Sequence, residues 1–124
     1  MKREERFEII AISRKEALVP LTEEVRKSLE VKVIKQNTAL VMMRARDSVE
    51  KEVFNLGEVL VSEAWVEINS VLGYSLILGD DVEKGLAGAI LDAVCELKHP
   101  LSKKIVNMLK EEKNIMKKKE LKNG

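Results

Sequence analysis

The sequence predicts a single α+β domain over residues 1–124: an antiparallel meander sheet of about four strands with helices packed mainly on one face. Three observations predict it. Residues 1–30 place apolar side chains at helical spacing, residues 31–79 switch to a period of two, and residues 80–98 and 100–122 return to helical spacing. With 124 residues and no internal repeat, the chain is long enough for one domain with a real core.

In the first segment Phe7, Ile10 and Ala11 share a helical face, and Ser13 with Glu16 has the spacing of a capping box for a second helix. Pro20 disfavours helix at Val19 and predicts a break there, with a new helix starting at Thr22, acids in its first turn and Arg26 and Lys27 further on. The strands expected are VKVIKQ, then ALVMMRARD after a turn at Asn37-Thr38, then GEVLVSEAWVEIN after a polar loop SVEKE, and finally GYSLILG. Asp80 is the expected cap of the next helix, with Glu83 as its box partner. Its stripe of Val82, Leu86, Ala89, Ile90, Ala93 and Leu97 suits a sheet, while Gly85, Gly88 and Asp92 line another side. Each glycine inside a helix costs about 1 kcal/mol relative to alanine, which points to close approach of another element. His99-Pro100 ends this helix, and Leu101, Ile105, Met108, Leu109 and Ile115 mark one side of the last.

Composition removes several classes of function. The formal net charge is +1, and there are only two Phe, one Tyr and one Trp, so neither a concentrated basic surface nor a base-stacking platform is expected, and no nucleic-acid partner. The one cysteine, Cys95, fits a reducing compartment and reads as a small helix hydrophobe. No signal-peptide core opens the chain and no run approaches the ~20 apolar residues of a membrane span, so a cytoplasmic location without membrane attachment is expected. There is no phosphate-cradling glycine loop and no Cys/His cluster for zinc, and the single histidine, His99, reads as a helix-end residue. No metal and no cofactor bound by this chain are expected.

The charge inside the strands asks for a different explanation. Arg44 and Arg46 share a strand face with Leu40 and Met42, and two guanidinium forks there suit carboxylate or phosphate, or a solvated face with acidic cross-strand partners. In the next strand Leu60, Ser62, Ala64, Val66 and Ile68 form one face and Val59, Val61, Glu63, Trp65 and Glu67 the other. Trp65 between two glutamates reads as an interface anchor, or as a tryptophan packed beneath this chain's own helices. Gly57 suits a bulge or a positive φ, and Glu58, in phase with the apolar set, is expected to be partly buried beside a cation.

In order along the chain, RAR at 44–46, FNLGE at 54–58, V-S-x-A-x-V from Val61 to Val66, GY at 73–74, LGDD at 78–81 and DA at 92–93 closely resemble the G subunit of the carbon–phosphorus lyase system, the PhnG family, over residues 39–95. The resemblance implies an auxiliary subunit working with the H, I and J subunits in organic phosphonate breakdown. The step implied is transfer of an alkylphosphonate to the ribose of a purine nucleoside triphosphate with loss of the base. It implies a component of a transferase or lyase assembly rather than a catalyst by itself, and leaves a homodimer of this chain open. The candidate ligand or partner contacts are Arg44, Arg46, Asn55, Gly57, Glu58, Glu63, Trp65 and Tyr74. The chain departs from the family's habit at Glu63, where a basic residue is common, at Ala64, where a cysteine is, and at Tyr74, where a histidine is frequent. The alternative reading is a stand-alone enzyme or binding module for a phosphorylated metabolite, with Arg44 and Arg46 as its anion clamp.

Overall fold

The structure of the chain, a computed structural model, describes residues 1–46 and 53–123, with side chains at all of these positions except 43–46, 53–56 and 120–123. In chain order it holds α1 (Arg3–Ile12), α2 (Lys15–Ser28), β1 (Lys32–Arg46), β2 (Val53–Ile68), β3 (Val71–Leu78), α3 (Val82–Glu96) and α4 (Ser102–Asn123). The strands form one antiparallel sheet in the order β1-β2-β3, so the α+β meander stands.

The meander has three strands rather than about four. The expected turn at Asn37-Thr38 is absent: these residues pair with Glu63 and Ser62, and β1 runs through them without reversing. The two short apolar runs are halves of one strand because β2, at 16 residues, is long enough to pair with both. The expected loop SVEKE lies outside the described residues. β2 starts at Val53, four residues before Gly57, and Gly57 sits inside it with φ +106° where the register against β1 shifts. That is the bulge geometry glycine adopts without a Cβ penalty. Asn69 and Ser70, both at positive φ, close the β2–β3 hairpin, as a two-residue turn matched to strand twist requires.

The N-terminal helices also break elsewhere than expected. α2 carries Pro20 inside it, and the chain instead turns at Ser13 and Arg14, both extended. Pro20 removes one bond to the carbonyl of exposed Glu16, where water can substitute, while Leu18, Leu21, Thr22 and Val25 are buried along the helix and hold it. Ser13 is not an N-cap: its hydroxyl donates back to the Ile9 carbonyl at 2.6 Å. Arg14 gives its backbone N–H and its guanidinium to the buried Glu112 of α4, at 2.9 and 2.7 Å. Thr22 lies mid-helix, bonded to the Val19 carbonyl. At the far end of the sheet the cap is Asp81 rather than Asp80. Its carboxylate accepts from the Lys84 N–H at 3.1 Å, and Ser62 Oγ fixes its approach by accepting the Asp81 N–H at 2.8 Å and donating to the Gly79 carbonyl at 2.7 Å. Glu83 pairs with Lys15 across to α2 instead of closing a box.

α3 is the centre of the core. Gly85 and every residue from Ala87 to Val94 are buried, the pattern of a helix covered on all sides. It lies on the face of Ser62, Ala64, Val66 and Ile68, with Ile9, Ile10, Leu18, Leu21, Val25, Ile105 and Leu109 of the other helices packed around it. The close approach implied by its glycines is present at Gly88, where a Cβ would stand 2.5 Å from Ser75 Oγ and 2.6 Å from Ile10 Cγ2. On the strand side, a Cβ on Gly73 would collide with the Ala89 carbonyl and Ala93.

One carboxylate ties these layers together. Asp92, fully buried on α3, accepts from Arg6 Nε and Nη2 at 2.9 and 2.7 Å, from Arg3 Nη2 at 2.8 Å and from the Tyr74 N–H at 2.9 Å. Arg6 also reaches Glu96 at 2.6 Å, and Arg3 reaches the Leu72 carbonyl at 3.3 Å. Helix α1 and Asp92 thereby cover the first part of the free edge of β3, giving partners to the outward Leu72 carbonyl and Tyr74 N–H. Because Asp92→Ala removes the buried partner of Arg6 and leaves it only the partly exposed Glu96, it is expected to lower the unfolding free energy by about 3 kcal/mol. Denaturant titration measures this, and a loss under about 1 kcal/mol, the scale of an exposed ion pair, contradicts it.

Candidate functional site

Strand alternation sends Ser62, Ala64, Val66 and Ile68 toward α3 and Glu63, Trp65 and Glu67 to the opposite, outer face of the sheet. On β3 the outer set is Leu72, Tyr74, Leu76 and Leu78, and on β1 it is Lys35, Asn37, Ala39 and Val41. Leu72, Leu76 and Leu78 are 47%, 45% and 65% exposed. Trp65 therefore does not lie beneath the chain's helices. It is half-buried on a sheet face that the core helices leave open.

The middle of this face is an ordered row. Trp65 and Tyr74 are direct cross-strand partners with ring centroids 4.5 Å apart. Phe7 of α1 reaches over the β3 edge and meets Tyr74 edge-on at 5.9 Å, with the Arg3 guanidinium 5.2 Å above the Phe7 ring. The Tyr74 hydroxyl donates to Glu63 Oε2 at 3.0 Å, and Lys35 Nζ lies 2.9 Å from Glu63 Oε1. The Lys35 ammonium first, and the Tyr74 hydroxyl second, hold the Glu63 carboxyl below the usual carboxylate range. Burial, and then the bond to Glu63, push the Tyr74 phenol up to about 12. An open groove of about 310 Å³ runs beside the row, lined by Phe7, Glu8, Ala11, Tyr74 and Leu76.

The eight expected contact residues fall in two places. Glu63, Trp65 and Tyr74 meet in the row just described. Arg44, Asn55, Gly57 and Glu58 lie along the β1–β2 ribbon that continues past the end of β3, with Arg44 paired to Asn55, Met43 to Gly57 and Met42 to Glu58, and Arg46 pairs with Val53 at its tip. The side chains of Arg44, Arg46 and Asn55 lie outside those described. Glu58 is exposed rather than partly buried, because the helices end before the ribbon and nothing covers its inner face there. The same geometry leaves Leu40 64% and Met42 50% exposed. Sequence reasoning missed Phe7 and Lys35 as members of the row and Arg3 and Arg6 as the partners of Asp92. The i, i+3 spacing of two arginines on a helix that opens the chain was the available signal for the latter.

Cys95, beside Arg6 on α3, is a thiol pushed by burial up to about 11, so it stays protonated at neutral pH. Among the described residues no cluster of three or more His, Cys, Asp or Glu side chains is arranged to hold a metal ion, and no helix is long and apolar enough to cross a membrane.

Tyr74 is the chain's only tyrosine, so its titration is directly visible. Near-ultraviolet absorbance should show no phenolate until the pH nears 12, and Glu63→Gln should move the transition down. The folded value lies above the ordinary phenol value of about 10, so the stability this group contributes is complete below that pH and is lost as pH rises through the folded value. A transition at the ordinary value in the folded protein contradicts the geometry.

Among curated proteins, no sequence matches this chain. A family model for the phosphonate metabolism protein PhnG matches residues 1–123, nearly the whole chain and well beyond the residues 39–95 that carry the resemblance. The chain belongs to the PhnG family of phosphonate metabolism proteins.

Proposed function

We propose that this chain is an auxiliary, non-catalytic subunit of the carbon–phosphorus lyase core complex in the cytoplasm. In that role it supports transfer of an alkylphosphonate to the ribose of a purine nucleoside triphosphate, with loss of the base, in company with the H, I and J subunits. Family membership supports the pathway. The observation that carries the subunit role is the outer sheet face, with exposed Leu72, Leu76 and Leu78 around the Trp65–Tyr74 pair. An apolar patch with a polar rim marks a contact surface. The aromatic pair is also prepared for binding: Tyr74 is pinned through its hydroxyl and Trp65 lies against it, so little side-chain freedom remains to be lost on docking. Lys35 and Glu63, on the same face, supply polar contacts of both signs.

The test is reconstitution with the H, I and J subunits. Trp65→Ala should weaken assembly by about 2 kcal/mol or more, the cost of truncating a buried interface tryptophan. Unchanged assembly, with the variant still folded by circular dichroism, contradicts the proposal. Turnover of a phosphorylated substrate by the isolated chain would favour the anion clamp at Arg44 and Arg46 instead.

A further inference from the structure

The two edges of the sheet are treated differently. At β3, Arg3 of α1 and Asp92 of α3 occupy the outward Leu72 carbonyl and Tyr74 N–H. At β1, the other edge, a strand of 15 residues lies open. The phase of its backbone follows from two bonds. Gly79 N–H donates to the Leu60 carbonyl at 2.7 Å, so Leu60 faces β3, and the Tyr74 N–H points away from β2 to Asp92. Alternation then turns Val61 toward β1, so that its partner Ala39, with Asn37 and Val41, bonds to β2. Gln36, Thr38, Leu40 and Met42 direct their N–H and C=O groups outward. Among the described residues, no backbone hydrogen bond outside the β2 ladder reaches any of these four, and the Thr38 carbonyl takes only the side-chain amide of its neighbour Asn37, at 3.3 Å.

Long open edges are normally blunted by lysine, proline or a bulge. β1 uses these devices at its two ends: Lys32 and Lys35 flank a bulge at Ile34, and beyond Met43 the register shifts again and Arg44 and Arg46 follow. From Gln36 to Met43 there is no charge, no proline and no break in pairing. Beyond β3 this stretch belongs to a two-stranded ribbon, which is marginal in water without a third strand.

We infer that the open edge of β1 receives an extended strand from a partner subunit, apolar along its middle and acidic at its ends, in the manner of β-augmentation. The backbone groups specify a strand, since only extended backbone presents donors and acceptors at the matching repeat. The charge specifies the ends. β1 carries Lys32 and Lys35 at one end, Arg44 and Arg46 at the other, and no acidic residue. A second copy of this chain would bring like charges together, whereas carboxylates at the ends of a foreign strand complement them. The inference rests on the subunit role proposed above.

Its test uses the full chain with the H, I and J subunits. Leu40→Pro removes one outward N–H and leaves the β2 ladder intact, and Leu40→Ala trims the same exposed side chain while keeping the N–H. Leu40→Pro should weaken assembly about tenfold or more relative to Leu40→Ala. Thr38→Pro against Thr38→Ala repeats the comparison at the next outward amide if Leu40→Pro loses its melting transition. If wild-type chain assembles and the proline variants assemble as well as the alanine variants, the edge inference is wrong and the subunit role stands. If wild-type chain does not assemble at all, the subunit role fails and takes this inference with it. A homodimer of the isolated chain that the same proline abolishes overturns the choice of a foreign strand.

Discussion

The Asp92 carboxylate is the constraint on which the rest of the structure depends. It lies fully buried on the central helix and gathers donors from α1, through Arg3 and Arg6, and from β3, through the Tyr74 backbone. A buried carboxylate is tolerable only when charge and hydrogen bonds compensate it together, and four donated bonds do so here. Those bonds fix the angle of α1 across the sheet edge. That angle carries Phe7 to Tyr74, and Tyr74 in turn holds Trp65 and Glu63. The outer aromatic row is thus positioned by a contact on the opposite side of the sheet's edge.

A division of labour between the two edges follows. The β3 edge is tied to α1 and α3 at Leu72 and Tyr74, and that tie belongs to the domain's own stability. The β1 edge and most of the outer face are open, although Val61 is buried there, and the main core lies among the helices and the inner faces of β2 and β3. The exposed apolar residues collect on these open surfaces: Leu72, Leu76 and Leu78 on one face, Leu40 and Met42 along the ribbon. A domain of 124 residues can leave this much unburied because α3, packed on every side, supplies a core that does not need them.

Much of this was legible in the sequence where a period-two pattern was strict. The faces of residues 62–68 are legible because Ser62, Ala64, Val66 and Ile68 alternate with charge, and of the two helix glycines Gly88 marks close packing while Gly85 meets only ordinary contacts. The errors have physical causes. Asn37-Thr38 has turn composition, but a long partner strand kept it extended. Pro20 breaks helices by local sterics, but a buried stripe on both sides of it outweighed one lost bond to an exposed carbonyl. Glu58 is in phase with buried residues yet exposed, because phase gives the face and not where the covering helices stop. The open β1 edge could not be seen from sequence, since strand order, not strand composition, decides which strand is last.

The most direct measurement is native-state amide hydrogen exchange on the isolated chain, resolved by residue. The Tyr74 amide, held by Asp92, should exchange only through global unfolding, while the amides of Gln36, Thr38, Leu40 and Met42 should exchange as freely as those of loops. A Tyr74 amide that exchanges freely in the folded protein would contradict the tie between the β3 edge and Asp92, and global protection of the four β1 amides in a verified monomer would contradict the open edge.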